Sequence, residues 1–133
     1  MLRVSARSGL FATFATLLAA APASALEFKS YSDESFAAAQ SANKSVVIDV
    51  YASWCPTCVA QQSVFKKLKD KPEYADVTIM KVDFDKQKDA VRKFGAQRQS
   101  TLVAFKGTKE QDRAVGATST ERIEKLIRQS TLN

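Results

Sequence analysis

The chain has 133 residues, 45% of them hydrophobic, and carries 20 Lys and Arg against 14 Asp and Glu for a formal charge of +6. Two cysteines and no histidine exclude a disulfide-stapled scaffold, imidazole catalysis, a zinc site completed by imidazole, and c-type haem attachment. The basic excess is grouped as Lys66, Lys67, Lys69, Lys71 and as Lys86, Lys88, Arg92, Lys93; both groups fall on expected helices with acids nearby and no interleaved aromatics, so they read as solvated faces and no nucleic-acid partner is expected.

The first segment does not read as part of a fold. Arg3 and Arg7 precede an apolar run over residues 9–21, and Ala23-Ser24-Ala25 follows. Charge, short apolar core and small-x-small site together predict a signal peptide over residues 1–25, cut after Ala25, with Ala23 as the alternative site. The apolar run is too short to span a bilayer. Both leader arginines leave with it, so the remainder keeps a smaller positive excess. Residues 26–133 are enough for one domain with a sizeable core and too few for two. Export places the protein in the periplasm, or outside the cell where there is no outer membrane, and there a disulfide can persist.

Glu27 to Tyr31 reads as a short strand or an extended lead-in. Ser32 is a candidate N-cap for a helix from Asp33 to about Ala42, with acidic residues in its first turn. Residues 46–51 are apolar on both faces, the pattern of a central sheet strand. A helix follows from near Cys55 to Lys69, with Pro56 tolerated in its first turn and Val64, Phe65 and Leu68 facing the core. Pro72 marks a loop, and Val77 to Phe84 is a second buried strand. Gln87 to Phe94 is helical, with Ala90, Val91 and Phe94 on one side and Gly95 as its stop. Thr101 to Phe105 is a strand, Gly107 a turn, and Arg113 to Val115 a short strand. Thr118-Ser119-Thr120-Glu121 is a capping box opening a last helix whose apolar stripe is Ile123, Leu126 and Ile127. The order β-α-β-α-β-α-β-β-α predicts an α/β domain, with a largely parallel sheet covered on both faces and antiparallel strands added by the late hairpin.

The chemistry concentrates at Trp54-Cys55-Pro56-Thr57-Cys58, where both cysteines sit between a buried strand and the start of a helix. A helix N-terminus offers unpaired N–H groups and positive dipole, which favour thiolate over thiol. A purely structural disulfide is the weaker reading, because closing so short a loop removes little entropy from the unfolded chain. Asp49 stands inside the apolar strand. A buried carboxylate is costly unless paired or neutral, which marks it as functional or as half of an ion pair.

Several segments in order resemble the thioredoxin family: Ile48-Asp49-Val50-Tyr51-Ala52-Ser53-Trp54-Cys55, Lys81-Val82-Asp83, Phe94-Gly95, Thr101-Leu102-Val103-Ala104-Phe105 and Val115-Gly116-Ala117. The resemblance covers essentially all of residues 26–133. It implies the thioredoxin fold, a central mixed sheet flanked by helices on both faces, and a protein-disulfide oxidoreductase that needs no cofactor and no metal. Cys55 would be the exposed nucleophile and Cys58 the buried resolving thiol of a redox-active disulfide. Asp49 would take the Cys58 proton with Lys81 tuning its charge, the alternative being a structural Asp49–Lys81 ion pair. Trp54, Pro56, Thr57, Gln99 and Ser100 would form the substrate-binding surface.

Two departures from the family pattern carry consequences. Pro56-Thr57 between the cysteines is closer to glutaredoxin-like motifs, whose potentials are less reducing by about 40–70 mV. Ser100 stands where the family has its cis-proline; without proline a cis Gln99–Ser100 bond costs about 3–4 kcal/mol, so the bond is either cis, as the resemblance implies, or trans with a loop that departs from the family's. The function expected is reduction of disulfide-bearing protein substrates by a monomer supplied by a membrane or soluble thiol electron donor. Two readings from other classes stand beside it. One is a non-catalytic module binding Cu(I) or a bridged cluster; the other is a substrate-binding adaptor that turns over poorly because Ser100 replaces proline.

Overall fold

The computed structural model describes residues 25–133; the expected leader lies outside the described residues but for Ala25. Five strands and four helices follow in chain order: β1 (Glu27–Ser30), α1 (Asp33–Ser41), β2 (Ser45–Tyr51), α2 (Pro56–Leu68), a 3-10 turn at Pro72–Tyr74, β3 (Val77–Asp83), α3 (Lys88–Lys93), β4 (Thr101–Lys106), β5 (Lys109–Val115) and α4 (Thr120–Thr131). Among the described residues no helix is long and apolar enough to cross a membrane.

The sheet order is β1-β3-β2-β4-β5. β3 pairs in parallel with both β1 and β2, whereas β2–β4 and β4–β5 are antiparallel. This is the mixed sheet expected, with β2 and its apolar run near the centre. Alternation along β2 sorts its side chains between two cores. Val46, Ile48 and Val50 join Phe36 of α1, Val91 of α3 and Phe94 at the C-cap of α3. Val47 faces the other way, toward Val64, Phe65 and Leu68 of α2 and Ile123, Leu126 and Ile127 of α4. Asp49 shares the phase of Val47, so it points to the α2 side.

Local chemistry sets most of the boundaries. Ser32 caps α1, its hydroxyl accepting from the Ser35 N–H, and the Ser35 hydroxyl reaches back to the Ser32 backbone. At the last helix the expected box is displaced by one residue. The N-cap is Ser119, which accepts from the Arg122 N–H, because position N3 is then Arg122 and Glu121 cannot close a box. β5 is longer than the expected Arg113–Val115. Its first half is an edge strand open to solvent, so Lys109 to Asp112 carry no apolar alternation to betray it. Opposite β5, Ala104 pairs with Asp112 and Phe105 with Glu110, leaving Gln111 as the extra residue of a bulge.

Three of the grouped lysines and arginines find carboxylate partners: Lys71 with Glu124, Arg92 with Asp89, and Lys93 with Asp33. These are surface pairs of the kind that contribute little to stability.

Candidate active site

β2 ends at Tyr51, and the chain turns through Ala52, Ser53 and Trp54 with the Cys55 N–H donating to the Ala52 carbonyl at 3.2 Å. Cys55 is itself the N-cap of α2, in extended geometry, and its sulfur accepts from the Cys58 N–H at 3.2 Å. Pro56 follows at the first helical position, where its missing N–H costs nothing. The cap geometry gives the two thiols different fates. A sulfur in the N-cap position faces the unpaired N–H groups of the first turn, whereas Cys58 is inside the helix with no exposed surface.

Ser100 completes the pair. Its Oγ lies 3.1 Å from the Cys55 sulfur and 3.2 Å from the Cys58 sulfur. Burial works against a charged Cys55. Hydrogen bonds from Cys58, Ser100, the Cys58 N–H and Gln99 outweigh it and hold the thiol below its ordinary value. Cys58 moves the other way: burial raises it, and so does its neighbour Cys55, against the smaller opposing effects of Ser100 and the Ala52 backbone. Both cysteines are free thiols. The arrangement is a low-pKa thiol beside a high-pKa one.

Four expectations change here. First, Cys55 is not openly exposed: its surface is 2% accessible, with the Ser100 hydroxyl on one side and Ala52 packed beside it. Second, the described residues contain no cis peptide bond, so Gln99–Ser100 is trans. The chain makes its turn with Ser100 at φ +64 instead, a left-handed conformation that costs a non-glycine residue about 1–2 kcal/mol. Three hydrogen bonds hold it there. The Ser100 N–H donates to Val50 O at 2.8 Å, and its carbonyl accepts from Gly116 N–H at 2.9 Å and from Gln61 Nε2 at 3.1 Å. Third, Ser100 is wholly buried and turned to the sulfurs, so it is no part of a docking surface. Fourth, Asp49 is not paired to Lys81. Its Oδ2 accepts from Gln62 Nε2 at 2.7 Å and its Oδ1 has no hydrogen-bond partner.

Lys81 is directly across from Asp49 in the β2–β3 register, but its ammonium lies over the Tyr51 ring, 4.2 Å from the centroid. Burial pushes Asp49 up to about 6, with the Gln62 hydrogen bond and the Lys81 charge limiting the rise. Such a carboxyl can hold or release a proton near neutral pH.

Of the remaining expected surface, Trp54 is 58% exposed. Its indole N–H donates to Asp85 Oδ2 at 2.8 Å, and its ring meets Phe84 edge to face. Pro56 is exposed, and Thr57 and Gln99 are half-buried. Asp83 Oδ1 accepts from the N–H groups of Asp85 and Lys86, a turn that presents Asp85 to the tryptophan.

Gln61, Gln62 and Asp85 are contributors that sequence reasoning passes over. Gln61 is wholly buried and its amide also donates to the Ala117 carbonyl at 2.9 Å, which ties α2 to both loops around the thiols. One signal was present: Gln61 lies three residues after Cys58 and four before Phe65, a polar residue within the core-facing stripe of α2. Among the described residues no group of three or more Cys, Asp or Glu could hold a metal ion. The two thiols, with a serine hydroxyl within hydrogen-bond distance of both, are set for dithiol chemistry.

Comparison with known proteins points the same way. The thioredoxin family model matches residues 27–129. An H-type thioredoxin of Brassica campestris is 38% identical over 93 residues, 70% of this chain and 74% of that protein. Thioredoxin H2-1 of Oryza sativa is 36% identical over 103 residues, 77% and 72% of the two chains. Among solved structures, Trxlp of Edwardsiella tarda superposes with a TM-score of 0.73 at 36% identity, over 76% of this chain and 98% of that one. The Malassezia sympodialis thioredoxin gives 0.69 at 29% identity, over 80% and 96%. With this match over nearly all of the described fold, and with a thiol pair at the strand-to-helix junction, the chain belongs to the thioredoxin family and is a protein-disulfide oxidoreductase.

Proposed function

We propose that the chain is exported and reduces protein disulfides, with Cys55 as attacking thiolate and Cys58 as resolving thiol. The observation that carries this reading is the asymmetry of the pair: one sulfur caps a helix and is held below its ordinary pKa, and the other is buried and held above it. The Cys55 thiolate attacks a substrate disulfide, forming a Cys55–substrate disulfide and expelling one substrate thiolate. Cys58 then gives up its proton, and its thiolate attacks the Cys55 sulfur. A second substrate thiolate leaves, and the two electrons that reduced the substrate have come from the Cys55 and Cys58 thiols, which are left joined as a disulfide.

Asp49 is the group with the pKa to receive the Cys58 proton, through a water, and Lys81 across the register stabilises the carboxylate that must be present for it to do so. Trp54, Pro56, Thr57 and Gln99 make the rim that a substrate meets. A membrane or soluble thiol donor returns two electrons to the disulfide, and the protein acts as a monomer.

Export rests on the leader pattern of Arg3, Arg7, the apolar run over residues 9–21 and Ala23-Ser24-Ala25. Leu26 supports a cut after Ala25: it is buried in the α2 and α4 core, and its N–H donates to the Lys69 carbonyl at 2.9 Å. A new amino terminus there would meet the carbonyl end of α2, where positive charge is favoured. Amino-terminal sequencing of the processed protein from a periplasmic extract should begin at Leu26. Recovery of the intact chain in the cytoplasmic fraction would count against export.

The mechanism is tested with the two cysteines separately. Cys55→Ser should abolish turnover of a protein disulfide, since the remaining thiol, Cys58, has no exposed surface from which to attack. Cys58→Ser should accumulate mixed disulfides through Cys55. Intact turnover by Cys58→Ser, with nothing trapped, would overturn the two-thiol scheme.

A further inference from the structure

A serine at φ +64, buried against two thiols, is an unusual choice for a turn that glycine would make without strain. The turn itself is set by backbone: the Ser100 N–H, and its carbonyl with two donors, fix the conformation whatever the side chain. What serine adds is one hydroxyl, placed 3.1 and 3.2 Å from the two sulfurs and shut off from water. Strain kept at a reacting centre points to a use for the group that requires it.

We propose that Ser100 is a catalytic residue of the exchange reaction, its hydroxyl donating to the Cys55 thiolate while accepting from the Cys58 thiol. The inference deepens the function proposed above and rests on it for its biological meaning. Counting donors supports the direction. A hydroxyl has one proton and can also accept. With Cys55 as thiolate, its sulfur receives the Cys58 N–H and the Ser100 O–H, and the Cys58 S–H has the serine oxygen to donate to. No donor in this set is then left without an acceptor. The reverse charge distribution would give the Cys58 N–H a neutral thiol as acceptor, the weaker of the two arrangements. Ser100 thus polarises the pair toward attack by Cys55 and holds the Cys58 proton until the mixed disulfide has formed. No proton or electron is transferred to serine itself.

Gln61 is the positioning residue of this device. Its amide donates to the carbonyls of Ser100 and Ala117 and so fixes the serine against α2, the helix that carries Cys58. It touches neither sulfur by any hydrogen bond of the described residues, so its effect on the thiols passes through Ser100.

The reduced form alone has a thiolate to stabilise, so the hydroxyl also affects the couple. Loss of one hydrogen bond to a charged sulfur should raise the Cys55 pKa by about one unit, about tenfold in thiolate at a given pH below it. The reduced form becomes less favourable by a similar factor above the parent pKa, which shifts the potential about 30 mV toward reducing.

The test compares Ser100→Gly and Ser100→Ala with the parent, following Cys55 alkylation by iodoacetamide across pH together with the reduction potential and the melting temperature. Glycine removes the hydroxyl and relieves the backbone, so it should melt no lower than the parent; alanine keeps the strain without the hydroxyl. Both should show the upward pKa shift and the more reducing potential. Of the other titratable groups on the surrounding elements, Asp49 on β2, Lys81 on β3, and Asp85 and Arg98 on the flanking loops make no contact with the hydroxyl, whereas Cys58 on α2 loses the serine oxygen it donates to, so the titration is read at Cys55 alone. A Cys55 titration unchanged in both variants would overturn the role of Ser100. The titration needs no substrate, so a parent without reductase activity would count instead against the function proposed above.

Discussion

The two faces of the central sheet are built to different rules. On the α1 and α3 face, Phe36, Phe94, Phe105 and Tyr31 form a cluster of edge-to-face and tilted rings with centroids 5.2–5.9 Å apart. Such pairs add to the area they bury, and no ionisable group is buried among them besides the tyrosine hydroxyl at the edge, which donates to Asp33. On the α2 side, Asp49, Gln61 and Ser100 are all buried, and two of their oxygens, Asp49 Oδ1 and Gln61 Oε1, have no hydrogen-bond partner. Buried polar atoms of that kind lower stability. Both faces have an apolar core, but the α2 face gives up part of its stability to keep a carboxyl, an amide and a hydroxyl around two thiols.

Substitutions on the two faces should therefore differ in kind. The largest loss is expected from Phe36→Ala, which removes the ring that contacts Tyr31, Phe94 and Phe105, at about 3–5 kcal/mol. Chemical denaturation should register that loss while the Cys55 titration at low temperature stays as in the parent. A shift in the titration would break the separation of the two faces.

Ser100→Pro comes next and acts on the other face. Proline is confined near φ −65 and has no N–H, whereas Ser100 sits at φ +64 and donates to Val50 O. A loss of about 3 kcal/mol or more is expected, with reductase activity reduced as the loop moves off the sulfurs. A proline variant as stable and active as the parent would show that the trans, left-handed turn is not the one the protein uses.

Asp49→Asn should have the opposite sign. Folded Asp49 keeps its proton to about pH 6 because it is buried, whereas an unfolded aspartate loses it near pH 3.9. Between those values the folded state binds more protons, so the parent should lose stability as pH rises through that window, up to about 3 kcal/mol by pH 7. Asparagine cannot ionise and can still accept from Gln62. The variant should lack that loss and be more stable than the parent above pH 6, while releasing substrate more slowly from the mixed disulfide. Parallel stability profiles for the two proteins would mean that Asp49 is not the titrating group.

The smallest effect is expected from Gln61→Met, which keeps volume and apolar packing in α2 but frees the carbonyls of Ser100 and Ala117. One unsatisfied amide oxygen is removed as two hydrogen bonds are lost, so the net change should be within about 1 kcal/mol. The Cys55 pKa should nonetheless rise, by less than with Ser100→Gly. A large stability loss with an unmoved titration would make Gln61 a structural brace only.

The difference between the faces also explains what could be read in the chain. The strands and part of the aromatic face were legible because Val46–Tyr51 and Val77–Asp83 announce burial by composition, and Ala90, Val91 and Phe94 fall at helical spacing. The thiol pair was legible because a strand, two cysteines and a helix follow one another directly. Ser100 was seen as a departure, but its conformation was not. A cis bond and a left-handed turn answer the same steric demand, and only the Val50 and Gly116 backbones, distant in sequence, decide between them. Gln61 and Gln62 look like ordinary helix formers, and only the fold shows that one grips the Ser100 loop and the other the buried carboxyl. The Asp49–Lys81 ion pair, the alternative to Lys81 tuning the carboxyl's charge, was right in register and wrong in contact, because the ammonium lies over the Tyr51 ring instead.

The central claim is that one thiol is poised to attack and the other is held in reserve. It is tested most directly by alkylating the reduced parent over a pH series and assigning the modified cysteine by mass spectrometry. The account predicts that Cys55 reacts first, with a pKa below the ordinary thiol value of about 8.5, and that Cys58 stays protected until the protein unfolds. Labelling of Cys58 first, or a Cys55 pKa at or above that value, would contradict it.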